Sequence, residues 1–265
     1  MSQTATIAAA LAVLAYLVAA ALLLHSAKSG RNPQGQPYRV PAVIAIVCHA
    51  LSVYSLIWRD DAIYVGFFSA LSLTSLLLST ALILMAIRQS IAILGVVIFP
   101  LSAVFLLCSV LLGDNSAALN PQLQWHILTS VMAYSVLALA VTQSIALALQ
   151  THYLRTLQTN PLVATLPPID LMEKVLFQMI GLGFVLLSAS LLTGFVFLED
   201  VFAQHLVHKT TLTMFAWATF GILLAGRTLW GWRGRTAMRW TTSGFALLIV
   251  GYFGSKLVLE FILAK

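Results

Sequence analysis

The segment that decides the fold spans residues 204–235 and reads QHLVHKTTLTMFAWATFGILLAGRTLWGWRGR. It places His205 and His208 directly before an apolar run long enough to cross a membrane, and a group of arginines directly after that run. Apolar runs of about 20 residues are typical of transmembrane helices, and basic residues at their ends set the orientation. The segment therefore predicts a membrane helix with candidate ligands at one end and positive charge at the other.

The composition of the whole chain is that of an integral membrane protein. Of its 265 residues, 60% are hydrophobic and only 8% are charged, whereas about a quarter are charged in a soluble domain. The net charge of +6 comes from basic residues in short links, so it predicts no nucleic-acid partner; the partner is the lipid bilayer. Cys48 and Cys108 fall in apolar runs, and no Cys-x-x-Cys-His motif for covalent haem attachment is present.

Windows of about 20 apolar residues separate cleanly along the chain. The first is expected to be a retained span and not a cleaved signal, because no lysine or arginine precedes it. We predict an all-α, polytopic membrane helix bundle of about eight transmembrane helices, which forms a single domain over residues 1–265. The predicted spans are 4–25, 41–58, 64–87, 91–113, 126–149, 175–198, 210–230 and 241–262.

The distribution of lysine and arginine between the links predicts the orientation of the bundle. The first, third, fifth and seventh links carry ten of these residues, whereas the other three links carry only Arg59 and Lys209. Because links rich in lysine and arginine stay in the cytoplasm, both chain termini are expected on the outer, periplasmic side.

Three of the six histidines share this predicted outer face. His126 begins the fifth span, and His205 and His208 lead into the seventh. Histidines from two different helices can offer ring nitrogens to opposite sides of a flat metal complex, and haem takes such axial ligands in a largely apolar pocket. Each of the three could instead be a hydrated residue at a helix end, so both interpretations stay open.

His49 is a fourth candidate, because it lies near the middle of the second span. A polar ring in hydrocarbon marks either a packed polar contact or a ligand. His25 and His152 are interpreted as surface residues. No carboxylate lies at the centre of a span, which counts against a proton-coupled pump or an acid-lined cation channel.

Several short motifs follow one another along the predicted helices: Trp125-His126-Ile127, Ala133-Tyr134, Ala216-Trp217, Gly231-Trp232-Arg233-Gly234-Arg235, Gly244-Phe245 and Tyr252-Phe253-Gly254-Ser255. Together they resemble the cytochrome c assembly family of integral membrane haem-handling proteins, the group that includes CcsA and CcmC. The similarity covers essentially the whole chain, is strongest after residue 125, and is closest to the short YpjD-type branch.

The resemblance implies a bacterial inner-membrane protein that binds haem non-covalently at the periplasmic face, with cytochrome c assembly proteins as partners. In the family, an outer-face histidine begins a helix as His126 does here. His208 and His205 are added as candidates for the second ligand because they share its predicted face, and His49 is kept as a further cofactor-binding candidate. The only metal expected is haem iron.

The sixth link, from Glu199 to Lys209, contains none of the tryptophans with which this family stacks haem. We therefore expect haem binding for cytochrome maturation or an accessory step, and we assign no enzymatic bond-making step to the chain. Two alternatives remain. One is a transporter of small solutes or divalent metal ions that keeps the fold without a haem site, and the other is a scaffold that only holds assembly partners.

Overall fold

A computed structural model describes residues 3–31, 37–113, 118–157, 160–197 and 207–254. Within these ranges the chain forms nine α-helices and one short β-hairpin, with a 3₁₀ turn over Ala92–Leu94 and a π-helical turn over Val250–Gly254. In chain order the elements are α1 (Gln3–Lys28), α2 (Arg39–Ile57), β1 (Trp58–Arg59), β2 (Ala62–Ile63), α3 (Phe67–Ala86), α4 (Gly95–Leu111), α5 (Pro121–Arg155), α6 (Pro161–Ala164), α7 (Ile169–Phe197), α8 (Val207–Trp230) and α9 (Arg235–Ile249).

The prediction of a helical membrane bundle is confirmed. Seven helices in the described ranges, α1 to α5, α7 and α8, are long and apolar enough to cross a membrane, and each overlaps one predicted span. Helix α9 and the π-helical turn cover the first part of the predicted eighth span, and the rest of that span, residues 255–262, lies outside the described residues.

The helix ends differ from the sequence prediction mainly at α5. This helix has 35 residues and begins at Pro121, five residues before the predicted start. At about 1.5 Å per residue it is roughly 50 Å long, whereas the hydrocarbon core of a bilayer is about 30 Å thick. Hydropathy locates only the apolar middle of such a helix, because its polar ends contribute no hydrophobic signal.

The β-structure in the described residues consists of the hairpin and an isolated antiparallel bridge between Tyr64 and Ala118. Strands β1 and β2 pair antiparallel, with Trp58 opposite Ile63. Asp60 and Asp61 form the two-residue turn, with φ values of 48° and 54°. A two-residue hairpin turn with both φ values positive matches the twist of its strands, and aspartate tolerates this region better than most residues do.

The chain divides into two compact units. The first contains the described residues up to Leu119 and those from Leu149 to Leu171, and the second contains the remainder. In the first unit, α1 packs through a stripe of buried residues that recurs every three or four positions, and most of them are alanines. Small side chains allow membrane helices to approach closely. The stripe consists of Ala5, Ala9, Ala12, Tyr16, Ala19, Leu23 and Ala27.

The second unit has its own buried core, to which four helices contribute. The fully buried side chains are large and aliphatic or aromatic, as expected where helices pack in a membrane protein interior. They include Leu137 and Leu139 from α5, Ile180 and Leu187 from α7, Phe220 and Leu223 from α8, and Leu248 from α9. The single-domain assignment over residues 1–265 remains a prediction.

Candidate functional site

His126 lies in the second turn of α5 and is only partly buried. The helix begins at Pro121, which suits this position because the first-turn N–H that proline lacks has no partner within a helix. Ser130 and Tyr134 follow at intervals of four residues, so they lie on the same face of α5 as His126. This face carries the polar side chains from which the candidate site is built.

The ring of His126 is oriented by α7. Its Nδ1 atom lies 3.0 Å from the carbonyl oxygen of Ser190 and 3.3 Å from Oγ1 of Thr193. A carbonyl oxygen can only accept, so Nδ1 carries the proton and donates it, and in the neutral ring Nε2 is left with a lone pair. No hydrogen bond to Nε2 is formed by any residue that the structure describes. Histidine ligands in metal sites are held in this way, with one N–H donated to a carbonyl and the other nitrogen available.

Hydroxyl groups fix the two helices around this contact. The Oγ atoms of Ser130 and Ser190 are 2.6 Å apart, and the hydroxyls of Thr129 and Thr193 are 3.4 Å apart. Ser130 also donates to the carbonyl oxygen of His126 at 2.7 Å. The position of the His126 ring is therefore determined by several bonds between α5 and α7.

The start of α8 also belongs to this part of the second unit. The Lys209 ammonium group acts electrostatically on His126, and its Nζ atom lies 4.6 Å from the ring centroid of Tyr252. Tyr252 belongs to the π-helical turn, and its ring centroid is 5.6 Å from that of Tyr134. Tyr134 in turn donates its hydroxyl proton to the carbonyl oxygen of Leu248 at 3.4 Å. One imidazole, one ammonium group and two phenol rings thus come together from α5, α8 and the π-helical turn.

The candidates for the second ligand are less completely described. His208 lies in the first turn of α8, directly before Lys209, but its side chain is not among those that the structure describes. His205 lies outside the described residues. Their role beside His126 stays a prediction.

His49 lies in the first unit, in the interior of α2, and has no exposed surface. Its Nδ1 atom is 3.1 Å from the hydroxyl oxygen of Tyr16, and its Nε2 atom is 2.9 Å from Oγ of Ser72. The Tyr16 ring meets the imidazole edge-on and stacks on Phe99. Both nitrogens of His49 therefore have hydrogen-bond partners on α1 and α3, which is the geometry of a packed polar contact. Its role as a ligand stays untested.

In the parts of the chain that the structure describes, no group of three or more histidine, cysteine, aspartate or glutamate side chains could hold a metal ion. Cys48 and Cys108 are free thiols. Of the predicted site residues, the structure thus gives His126 an available ring nitrogen and gives His49 none.

The family model described as "Cytochrome C assembly protein" matches residues 38–263. The chain belongs to the cytochrome c assembly family. The membership predicted from the short motifs is confirmed. The family match begins just before α2, so it does not include α1 and its Tyr16.

Relatives within the cytochrome c assembly family show the same relationship. The inner membrane protein YpjD of Escherichia coli strain K12 is 27% identical to the chain, and the match covers 96% of this chain and 98% of YpjD. The cytochrome c biogenesis protein CcsA of Crocosphaera subtropica is 29% identical over 41% of this chain and 34% of CcsA. CcsA of Synechococcus elongatus is 31% identical over 34% of this chain and 28% of CcsA. No solved structure matches the chain.

Together with the seven membrane-spanning helices, the family and the YpjD relative identify a multi-pass protein of a bacterial inner membrane. The predicted location is thereby confirmed.

Two residues of the family motifs make specific contacts in the structure. Trp217 donates its indole N–H to Oγ of Ser188 at 2.8 Å, and its ring stacks on Phe184 with centroids 5.4 Å apart. Tyr252 contacts Tyr134 and Lys209, as described above.

Sequence reasoning missed Tyr16, Ser190 and Thr193, which contact the two histidines, and Glu173, which binds the loop after α8. Tyr16 and Ser190 bind the two histidines from other helices, and no local pattern relates residues 33 or 64 positions apart. Glu173 left a detectable signal, because a carboxylate at the entrance to an apolar span needs a partner when it is buried. It is only 4% exposed and binds the loop that follows α8.

Proposed function

We propose that the chain binds haem non-covalently at the face of the bundle where α5 and α8 begin, where His126 together with His208 or His205 would bind the iron. The haem is held there for cytochrome maturation or for an accessory step in the same process. The observation that supports this most directly is the orientation of His126, whose Nδ1–H is donated to Ser190 while Nε2 keeps a lone pair.

The residues present fit such a group. Neutral imidazole is a common axial ligand of haem iron, and the hydrogen bond to a carbonyl raises the basicity of the ligating nitrogen. Membership of the cytochrome c assembly family supports the choice of haem over other flat metal complexes, as do the CcsA relatives, whose name refers to cytochrome c biogenesis.

The residues around His126 contribute to this proposal in different ways. Ser190 and Thr193 hold the imidazole in one tautomer and one orientation. The Lys209 ammonium group places positive charge beside the site, which favours a ligand that carries carboxylates. Haem supplies the iron chemistry when bound, whereas the protein contributes position and an apolar surrounding.

The test is the visible spectrum of purified protein. After expression with an adequate haem supply, wild-type protein in mild detergent should show a Soret band and, when reduced, the α and β bands of a haem with two imidazole ligands. His126→Ala should lose most of the bound haem, and the double variant His205→Ala with His208→Ala should lose or shift the same bands.

A matched control is the double variant His25→Ala with His152→Ala. Both side chains are exposed and lie away from the predicted face, so the spectrum should not change. Wild-type protein without a Soret band would contradict the proposal, and so would a His126→Ala spectrum equal to that of the wild type. Neither the described residues nor the relatives named above favour the alternative of a divalent-metal transporter.

A further inference from the structure

The loop between α8 and α9, Gly231 to Gly234, is held rigidly against α7. Glu173 of α7 accepts the backbone N–H of Gly234 at Oε1 and the Nε–H of Arg233 at Oε2, both at 2.8 Å. The carboxylate is 5% exposed, whereas the side chain of Arg233 is 53% exposed. Gly234 has a φ of 55° and a ψ of −125°, a conformation that only glycine adopts readily, so the turn that receives the carboxylate depends on this residue.

Two further contacts connect the same loop to the end of α8. The backbone N–H of Trp232 donates to the carbonyl oxygen of Gly226 at 3.1 Å, and Nη1 of Arg227 donates to the carbonyl oxygen of Trp232 at 3.4 Å. The Arg227 guanidinium also lies 4.7 Å from the ring centroid of Phe177. The loop is thus fixed from α7 and from α8.

Three indole rings form a cluster at this loop, with Trp230 and Trp232 stacked and Trp240 tilted against Trp232. The centroids of Trp230 and Trp232 are 5.8 Å apart, and those of Trp232 and Trp240 are 5.3 Å apart. Tryptophan rings with one apolar side and one N–H prefer the level of the lipid headgroups. Since the indole cluster joins the end of α8 to the first turns of α9, we expect this part of the molecule to lie at the level of the headgroups.

Helix α9, which carries Trp240, also carries two exposed positive charges. Arg235 and Arg239 are four residues apart on α9, so they share one face of that helix, and both are exposed. Neither guanidinium forms an ion pair or hydrogen bond with any residue that the structure describes. The nearby buried carboxylate, Glu173, is already occupied by Gly234 and Arg233.

We propose that the exposed face of α9 that carries Arg235 and Arg239, close in the chain to the indoles of Trp232 and Trp240, is a binding site for the headgroup of an anionic phospholipid. A guanidinium group binds a phosphate through two parallel N–H donors, and two such groups one helical turn apart can contact one or two phosphates. An anionic phospholipid matches both kinds of side chain. Its phosphate would bind the arginines, and its glycerol and upper acyl chains would contact the indoles. Basic pockets at membrane helix ends select such lipids.

The experiment uses full-length protein and three lipids with the same acyl chains: phosphatidylglycerol, cardiolipin and phosphatidylcholine. Native mass spectrometry of the protein released from mixed micelles gives the fraction of each lipid bound. Wild-type protein should retain phosphatidylglycerol or cardiolipin in preference to phosphatidylcholine. Arg235→Gln with Arg239→Gln should weaken binding of the anionic lipids about fivefold for each arginine removed and leave phosphatidylcholine binding unchanged.

The matched control is Arg88→Gln with Arg155→Gln, which removes the same charge from two exposed positions in the first unit. This control should keep the preference for anionic lipids. An equal loss in the control would show that only the total charge matters, and a wild type without any preference would also overturn the proposal. Both double variants should keep the helical circular dichroism of the wild type, because all four side chains are exposed.

Discussion

At the scale of single residues, the number of hydrogen-bond partners distinguishes His49 from His126. His49 uses both ring nitrogens within the first unit, whereas His126 uses only Nδ1 among the described residues. A buried imidazole with two partners stabilises the packing of the helices that supply them. An imidazole with one fixed nitrogen and one available nitrogen is suited to binding iron.

Replacing His49 by leucine should destabilise the protein. Leucine fills a similar volume but cannot form hydrogen bonds. The buried hydroxyls of Ser72 and Tyr16 would each lose the hydrogen bond to His49. We expect the free energy of unfolding to fall by about 1 to 3 kcal/mol, measured by titration with sodium dodecyl sulfate followed by circular dichroism.

His25→Leu is the matched control for this substitution, because His25 is exposed at the end of α1. Its effect should stay within about 0.5 kcal/mol. A His49→Leu protein as stable as the wild type would show that the Tyr16–His49–Ser72 contacts contribute nothing to stability.

The sequence was informative about residues only where local position carried the signal. His126 could be selected because it opens an apolar span next to Trp125 and on the predicted face of His205 and His208. For His49, hydropathy showed a polar ring in hydrocarbon but could not choose between a contact and a ligand. That choice depends on Tyr16 and Ser72, which other helices supply.

At the scale of elements, the transition from α8 to α9 depends on the close approach of Trp232 to Gly226. A Cβ atom at position 226 would overlap with the indole ring of Trp232. Any side chain larger than hydrogen must therefore displace the indole and with it the loop that Glu173 holds. The tryptophan and the glycine act as one packing unit.

Gly226→Ala should consequently lower stability, although alanine is the better helix former. We expect a loss of about 1 to 3 kcal/mol from overpacking, measured as a lower thermal unfolding midpoint in detergent.

Gly181→Ala, in α7, provides the comparison, because a Cβ atom there would meet no atom within 4 Å. That variant should be unchanged or more stable by up to about 1 kcal/mol. If both alanine variants behaved alike, the contact with Trp232 would not be the cause.

Element positions were largely predictable, since each apolar run forms a helix over the residues that the structure describes. Their ends were not, as α5 shows. The β-hairpin was also missed. Its two strands have two residues each, which is too short to show the alternating pattern of a strand, and Asp60 and Asp61 lie between them. The attachment of the α8–α9 loop was missed because it depends on Glu173, some 60 residues earlier in the chain.

At the scale of the whole molecule, the helical membrane bundle followed from composition and hydropathy alone. Runs of about 20 apolar residues leave the chain no alternative, because backbone polar groups in lipid must be satisfied within a helix. The two compact units did not follow, since hydropathy treats all spans alike. Only contacts between helices distinguish the residues that pack with α1 from those that pack with α8.

The orientation of the bundle is open to direct measurement. In a background with Cys48→Ala and Cys108→Ala, a membrane-impermeant maleimide should label Asn120→Cys in intact spheroplasts. It should label Leu157→Cys only after the membrane is opened. Asn120 is exposed in the fourth link, and Leu157 is 91% exposed in the fifth, so both thiols would be accessible from their own side.

The reverse labelling pattern would contradict the prediction drawn from the ten basic residues in the odd-numbered links. It would also place the start of α5, and His126 with it, on the cytoplasmic side.

The contacts of His49 also bear on how the chain is made. Most hydroxyls in the first unit can bond to a carbonyl of their own helix, as Thr74 and Thr80 do, so their helices carry no unsatisfied group into lipid. The imidazole of His49 forms its hydrogen bonds outside its own helix, with partners on α1 and α3. An α2 released alone into the bilayer would leave polar ring atoms unsatisfied, at a cost of several kcal/mol. The energetically favoured course of biogenesis is therefore one in which α1, α2 and α3 leave the insertion machinery together.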